Sequence, residues 1–134
     1  MAGFFDFLED KLLDHVFGAV AYTPPATLYI GLSTTTVTDA GGNITEPSGN
    51  GYARVAVANN TTNFPNSSGG AKSNGKPITF PAATGSWGTI TDFFIADAAT
   101  EGNFLTGGAL GASQTVAAGE TINFAVGALD ITLD

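Results

Sequence analysis

The sequence predicts a mainly β fold: an antiparallel β-sandwich or jelly-roll-like domain with one N-terminal α-helix. Three observations carry that expectation. Short runs rich in β-branched and aromatic residues alternate with polar residues at a period of two. Turn residues punctuate these runs closely, the chain having 18 Gly and 6 Pro among its 134 residues, as antiparallel strands joined by tight turns require. Helical periodicity is confined to residues 1–17.

The helix comes first. Phe5, Leu8, Leu12 and Val16 recur at three- and four-residue steps, and Phe4 and Leu13 widen the stripe. Asp6, Asp10 and Asp14 follow each other at i, i+4 and read as the wet, opposite face. Gly18 is the expected stop. The apolar stripe needs a cover, either the domain's own core, the first expectation, or a neighbouring subunit. Residues 1–18 are thus an amphipathic helix and 19–134 a β-sandwich, together one domain.

Pro24-Pro25 opens the β region. Leu28, Ile30 and Leu32 alternate with Thr27, Tyr29 and Gly31 in the first predicted strand, and Tyr52–Val57 alternates in the second. Between them, Gly41-Gly42-Asn43 and Pro47–Gly51 bracket a turn-rich excursion. The polar stretch 59–76 is long for a connection and is expected to be functional or mobile. Ile78 and Phe80 start a further strand that Pro81 stops. Thr89–Ala96 gives the strongest strand signal; Asn103–Leu105 and Thr115-Val116 are weaker, and Thr121–Val126 and Leu129–Leu133 close the chain. One N-terminal helix followed by short strands and turns fits a sandwich or jelly roll.

Composition excludes several function classes. Charged residues make up 12% of the chain, against about 25% in ordinary soluble domains, so Thr, Asn, Ser and backbone must hydrate the surface. The net charge is −8, and Arg54, Lys72 and Lys76 are too few and dispersed to follow a phosphate backbone; no nucleic-acid partner is expected. An anionic membrane surface is disfavoured on the same ground, and no run is apolar for long enough to span a bilayer. The acidic N-terminus does not read as a secretory signal. Cysteine is absent and His15 is the single histidine, which removes thiol chemistry and leaves one side chain that ordinarily titrates near neutrality.

The candidate motifs reduce to structure. Gly70–Lys76 has the glycine and lysine spacing of a phosphate-binding loop, but Pro77 stands where Ser or Thr should hold magnesium, and a strand follows where a helix should. Asp39, Asn43 and Glu46 could offer oxygens to calcium but miss the EF-hand spacing, so Asx-turn hydrogen bonding is the plainer reading. Asp92, Asp97, Glu101 and Glu120 are scattered over turns and give no glycosidase pair. Trp87 reads as a core plug before a sugar-binding platform. No cofactor, metal site or catalytic residue is expected.

Several segments together carry a resemblance. Asp14–Gly18 leads to Pro25–Thr34, then Glu46–Val55, Asn63-Phe64-Pro65, Ile78–Pro81 and Gly85–Thr91. In this order, and over nearly the whole chain, they resemble a family of small virion proteins of tailed bacteriophages, often labelled tail-fibre or virion structural proteins. The resemblance implies a non-enzymatic particle component, made in the host cytoplasm and located in the virion. Its partners would be other virion proteins, the major capsid protein or tail proteins. A homo-oligomer is expected, a trimer being one form.

Neither a heptad seam nor a β-helical repeat, the makings of a fibre shaft, occurs in the chain. A capsid decoration or cement protein is therefore the first expectation. The alternative is a tail or tail-fibre component that contacts host glycans. Contacts to neighbours are expected from the helix, through Phe4, Phe5, Leu8 and Leu12, and from the polar loop, through Asn63, Phe64, Lys72 and Lys76.

Overall fold

The strongest strand signal in the sequence becomes the centre of the fold. The computed structural model describes residues 3–133. Its elements in chain order are β1 (Gly3–Phe4), α1 (Asp6–Val16), β2 (Thr27–Ser33), β3 (Val55–Ala58), β4 (Ala71–Ser73), β5 (Ile78–Thr79), β6 (Gly88–Ala96), β7 (Phe104–Val116), β8 (Asn123–Phe124) and β9 (Asp130–Thr132). Five strands form one antiparallel sheet in the order β1-β7-β6-β2-β3, while β4 pairs with β9 and β5 with β8. The mainly β architecture with one N-terminal helix is the one the sequence predicts.

From Asp92 to Ala96, β6 is buried on both faces, which is why its apolar residues run on without polar interruption. One face contributes Phe93 and Ile95 to the main core, joined there by Ile30 and Leu32 of β2 and by Ile78, Phe80, Ile122, Phe124 and Leu129 from the shorter strand pairs and their connections. The other face sets Phe94 and Ala96 against Phe5, with Val37, Ile44 and Phe104 packed around them. Two glycines make room for rings on this second face. A side chain at Gly31 would sit 2.2 Å from the Phe94 ring, and one at Gly107 would sit 2.7 Å from the Phe5 ring.

Three sequence expectations change. The two weak strand signals at 103–105 and 115–116 are ends of one strand, β7. Its ladder with β6 jumps from Asp92↔Ala109 to Ile90↔Gln114, so residues 110–113 form a bulge, with Leu110 still packed against the main core; the Gly111-Ala112-Ser113 run hid the continuity. The second strand begins at Val55 instead of Tyr52, because Tyr52 and Arg54 turn their side chains to a buried polar cluster. The stretch 59–76 is not a free arm. It contains β4, and its Phe64 and Asn74 are buried.

Candidate docking surface

Helix α1 has 11 residues, a length that is marginal in isolation, and no side chain caps its N-terminus. Its anchor is Phe5, the residue just before it. Phe5 is 2% exposed; its N–H donates to Leu105 O (2.8 Å) and its carbonyl receives Leu8 N–H and Glu9 N–H. Asp6 N–H donates to Asp39 O (3.1 Å). At the other end, Ala19 adopts φ +56° and turns the chain back, so that Val20 N–H reaches Asp14 O (3.0 Å). His15 fastens this return, its Nδ1 accepting from Tyr22 N–H at 3.1 Å.

The apolar stripe of α1 divides. Leu8 and Leu12 are half-buried, whereas Leu13 (57%), Val16 (58%), Phe17 (81%) and Val20 remain exposed. No residue of the helix itself is fully buried. Phe4, Glu9, Leu12, Leu13, Val16, Phe17 and Leu133 enclose a shallow groove of about 370 Å³. Phe4 and Leu133 also line a second groove of about 200 Å³, floored by Ala71, Lys72 and Ile131. The helix and the 59–76 region therefore adjoin, through β1 and the chain's C-terminal strand.

Asp10 and Asp14 face away from Leu8, Leu12 and Val16, as the sequence reading has them, but lie beside Leu13 and Phe17. Asp10 precedes Leu13 by three residues and Asp14 precedes Phe17 by three, so at 100° per residue they are neighbours on the helix surface. The sequence reading ran the stripe through Phe5, Leu8, Leu12 and Val16; the body covers Phe5 and half-buries Leu8 and Leu12. What stays exposed is Val16 at the end of that stripe, with Leu13 and Phe17 on the flank bordering Asp10 and Asp14.

The residues expected to contact neighbours are placed differently from one another, Leu8 being half-buried. Phe4 and Leu12 line the helix groove, and Phe4 and Lys72 line the second. Phe5 and Phe64 are interior residues, 2% and 3% exposed, and offer no surface to a partner. Asn63 braces its own loop, donating to Ala58 O (2.8 Å) and accepting Gly75 N–H on its carbonyl (2.7 Å). Lys76 is exposed, and its carbonyl accepts from Asn74 Nδ2 (2.8 Å). The sequence reading did not single out Phe17, Val20 or Leu133 as contacts. The continuation of the apolar spacing past Val16 was the available signal, obscured by taking Gly18 as the boundary.

Elsewhere the polar residues hold the fold together. Arg54, with a side chain 2% exposed, pairs with Glu46 through two bonds (Nε–Oε1 3.0 Å, Nη2–Oε2 2.8 Å). Its Nη1 donates to Ala98 O and Glu101 O, and its guanidinium stacks over Phe94 at 5.0 Å. Tyr52 donates to Glu46 Oε1 (2.7 Å) and accepts Leu32 N–H (3.0 Å); burial first, and the adjacent Glu46 carboxylate next, push its hydroxyl well above the ordinary tyrosine pKa. Trp87 is 4% exposed, crosses Tyr52 edge-on at 5.3 Å and donates from Nε1 to Asn50 O (2.9 Å). It is a core plug and presents no platform to a sugar.

The remaining motifs resolve in the same way. Within Gly70–Lys76, Asn74 is a buried strut: Nδ2 donates to Lys76 O and Ala125 O, and Oδ1 accepts Leu129 N–H. The segment leads into β5, as no phosphate-binding loop does. The Asp39, Asn43 and Glu46 set is dispersed, with Glu46 on Arg54 and Asn43 on Thr36 O (2.6 Å). Asp39 lies instead beside Asp6 and Glu9, oxygens of the three being within 4.8 Å of one another. Asp97 and Glu120 accept from backbone N–H groups of their own turns, which is structural work for the acids weighed as a catalytic pair.

From residue 3 to residue 132 the chain matches the family model described as podophage GP4 fiber I protein gp80. The chain belongs to that family. It is a structural protein of the tailed-phage virion, as the resemblance in its segments implies. A search of the curated proteins finds no match. No helix among the described residues is long and apolar enough to cross a membrane.

Proposed function

We propose that this virion protein is a non-enzymatic, globular piece of a fibre, held to another virion protein through the exposed stripe of α1. The observation that carries the reading is the group Leu13, Val16, Phe17 and Val20, each more than half exposed, along the last turn of α1 and the return that follows it. Leaving four large apolar side chains in water is unfavourable by about 25 cal/mol per Å², and grouped exposure of this kind marks interaction surfaces. The family description favours a fibre over a shell-bound role. The decoration reading draws on a different feature, the absence of any shaft-like repeat among the described strands. It uses the same stripe, and copy number separates the two: a few to a few dozen copies per particle for a fibre, hundreds for a shell. Several copies of the chain would stand together in either setting, a trimer being one such arrangement.

The test is incorporation into particles. Deleting residues 1–17 is a blunt instrument, since it removes Phe5 from the second core cluster and β1 from the sheet. The double variant Leu13→Asp, Val16→Asp changes only exposed positions. Its thermal midpoint should match the parent, while its abundance in purified particles, by quantitative mass spectrometry, falls at least about tenfold. Normal incorporation of the folded variant would refute docking through α1.

A further inference from the structure

The groove beside α1 has a charge character that specifies its occupant. Glu9 is in its lining, and by helix spacing Asp10 neighbours Leu13 and Asp14 neighbours Phe17, on the side away from Leu12 and Val16, with Asp6 one turn before Asp10 on the same ridge. The helix's lysine is on the far side: Lys11 lies over the Phe7 ring at 5.7 Å, more than a quarter-turn from Leu13 and Phe17 by helix geometry. Lys72, the cation lining the adjoining groove, donates to Phe64 O (3.2 Å). The margin of the stripe on the helix is thus acidic.

This rests on the docking reading above and adds the chemistry of the partner. We infer that the groove receives an apolar segment of a different protein, with lysine or arginine flanking its apolar residues. A second copy of this chain does not fit the requirement. It has 4 Lys and Arg in all and a net charge of −8; Arg54 is held by Glu46 and Lys72 by Phe64 O. Two acidic ridges would meet with few cations to offset them. A basic amphipathic partner buries Leu13, Val16 and Phe17 and places cations against Asp6, Asp10 and Asp14, a match that steers association and selects against like-charged surfaces.

The full chain is titrated with two fluorescently labelled helical peptides of identical leucine pattern, one flanked by lysines and the other by glutamates, and binding is followed by anisotropy. The lysine peptide should bind at least about tenfold more tightly than the glutamate peptide, as three exposed ion pairs allow. Its affinity should fall on raising salt from about 50 to 500 mM, the range over which surface charges become screened. Asp10→Asn, Asp14→Asn should shrink the preference severalfold, and Phe17→Ala should weaken the lysine peptide. Equal binding of both peptides, or binding of neither, overturns the inference. So does self-association of the chain, by sedimentation velocity, that Phe17→Ala dissolves. Loss of the Leu13→Asp, Val16→Asp variant from particles alongside charge-blind peptide binding would leave docking standing and remove only the basic partner. Normal incorporation of that variant alongside selective peptide binding would remove docking on the particle and keep the groove's preference.

Discussion

At the scale of single residues, Arg54 is placed as an internal tie. Arg54 joins the 46–54 segment to the turn between β6 and β7 by bonding Glu46 on one side and the Ala98 and Glu101 carbonyls on the other. A planar guanidinium can serve both sides at once and still stack on Phe94, and an ammonium cannot. Arg54→Lys should therefore destabilise the fold by about 3 kcal/mol, in the range for breaking a buried ion pair, measured by urea denaturation. A loss below about 1 kcal/mol would mean that lysine satisfies the same partners. Residue-level reasoning from sequence could not reach this. Arg54 looked like one of three scattered surface cations, because nothing in the local pattern tells that Glu46, Ala98 and Glu101 converge on it.

At the scale of elements, helix and strands were legible to different degrees. Thr89–Ala96 was plain because a strand buried on both faces carries an unbroken apolar run. The helix was plain because its spacing is regular. What the periodicity could not give was which part of the stripe the body covers. That depends on Gly107 leaving a seat for the Phe5 ring, a contact across more than a hundred residues of sequence. The same contact makes Phe5 the fastening of α1. Phe5→Ala should cost about 3–4 kcal/mol and speed amide exchange in α1 more than in β6, because it removes the anchor of one and only a neighbour of the other. Equal acceleration in both elements would assign Phe5 to the core at large.

At the scale of the whole molecule, the helix and the β framework are expected to be one cooperative unit. β1 pairs with β7 at Gly3↔Gly107 and Phe4↔Thr106, and Phe5 closes the second cluster, so residues 3–17 have no stable place apart from the sheet. Unfolding followed by far-ultraviolet circular dichroism and by Trp87 fluorescence should trace one coincident transition. Two separated transitions would divide the chain at residue 18. The class of function was readable at this scale more than at any other. A chain poor in histidine, cysteine and cations reads as having little means for most chemistry, and the structure engages Glu46, Asp97 and Glu120 in ties and turns. The proposed docking face was half legible: its helix was clear, and its orientation was not.

The ends of the five-stranded sheet carry a consequence for crowding. β3 offers four residues at one margin and β1 only two at the other, and beyond β1 the rim of β7 is interrupted by its bulge at 110–113. Long, flat, unpaired rims invite uncontrolled strand addition between molecules, and short or broken ones resist it. Copies of the chain brought close together should therefore resist zipping into aggregates through these rims.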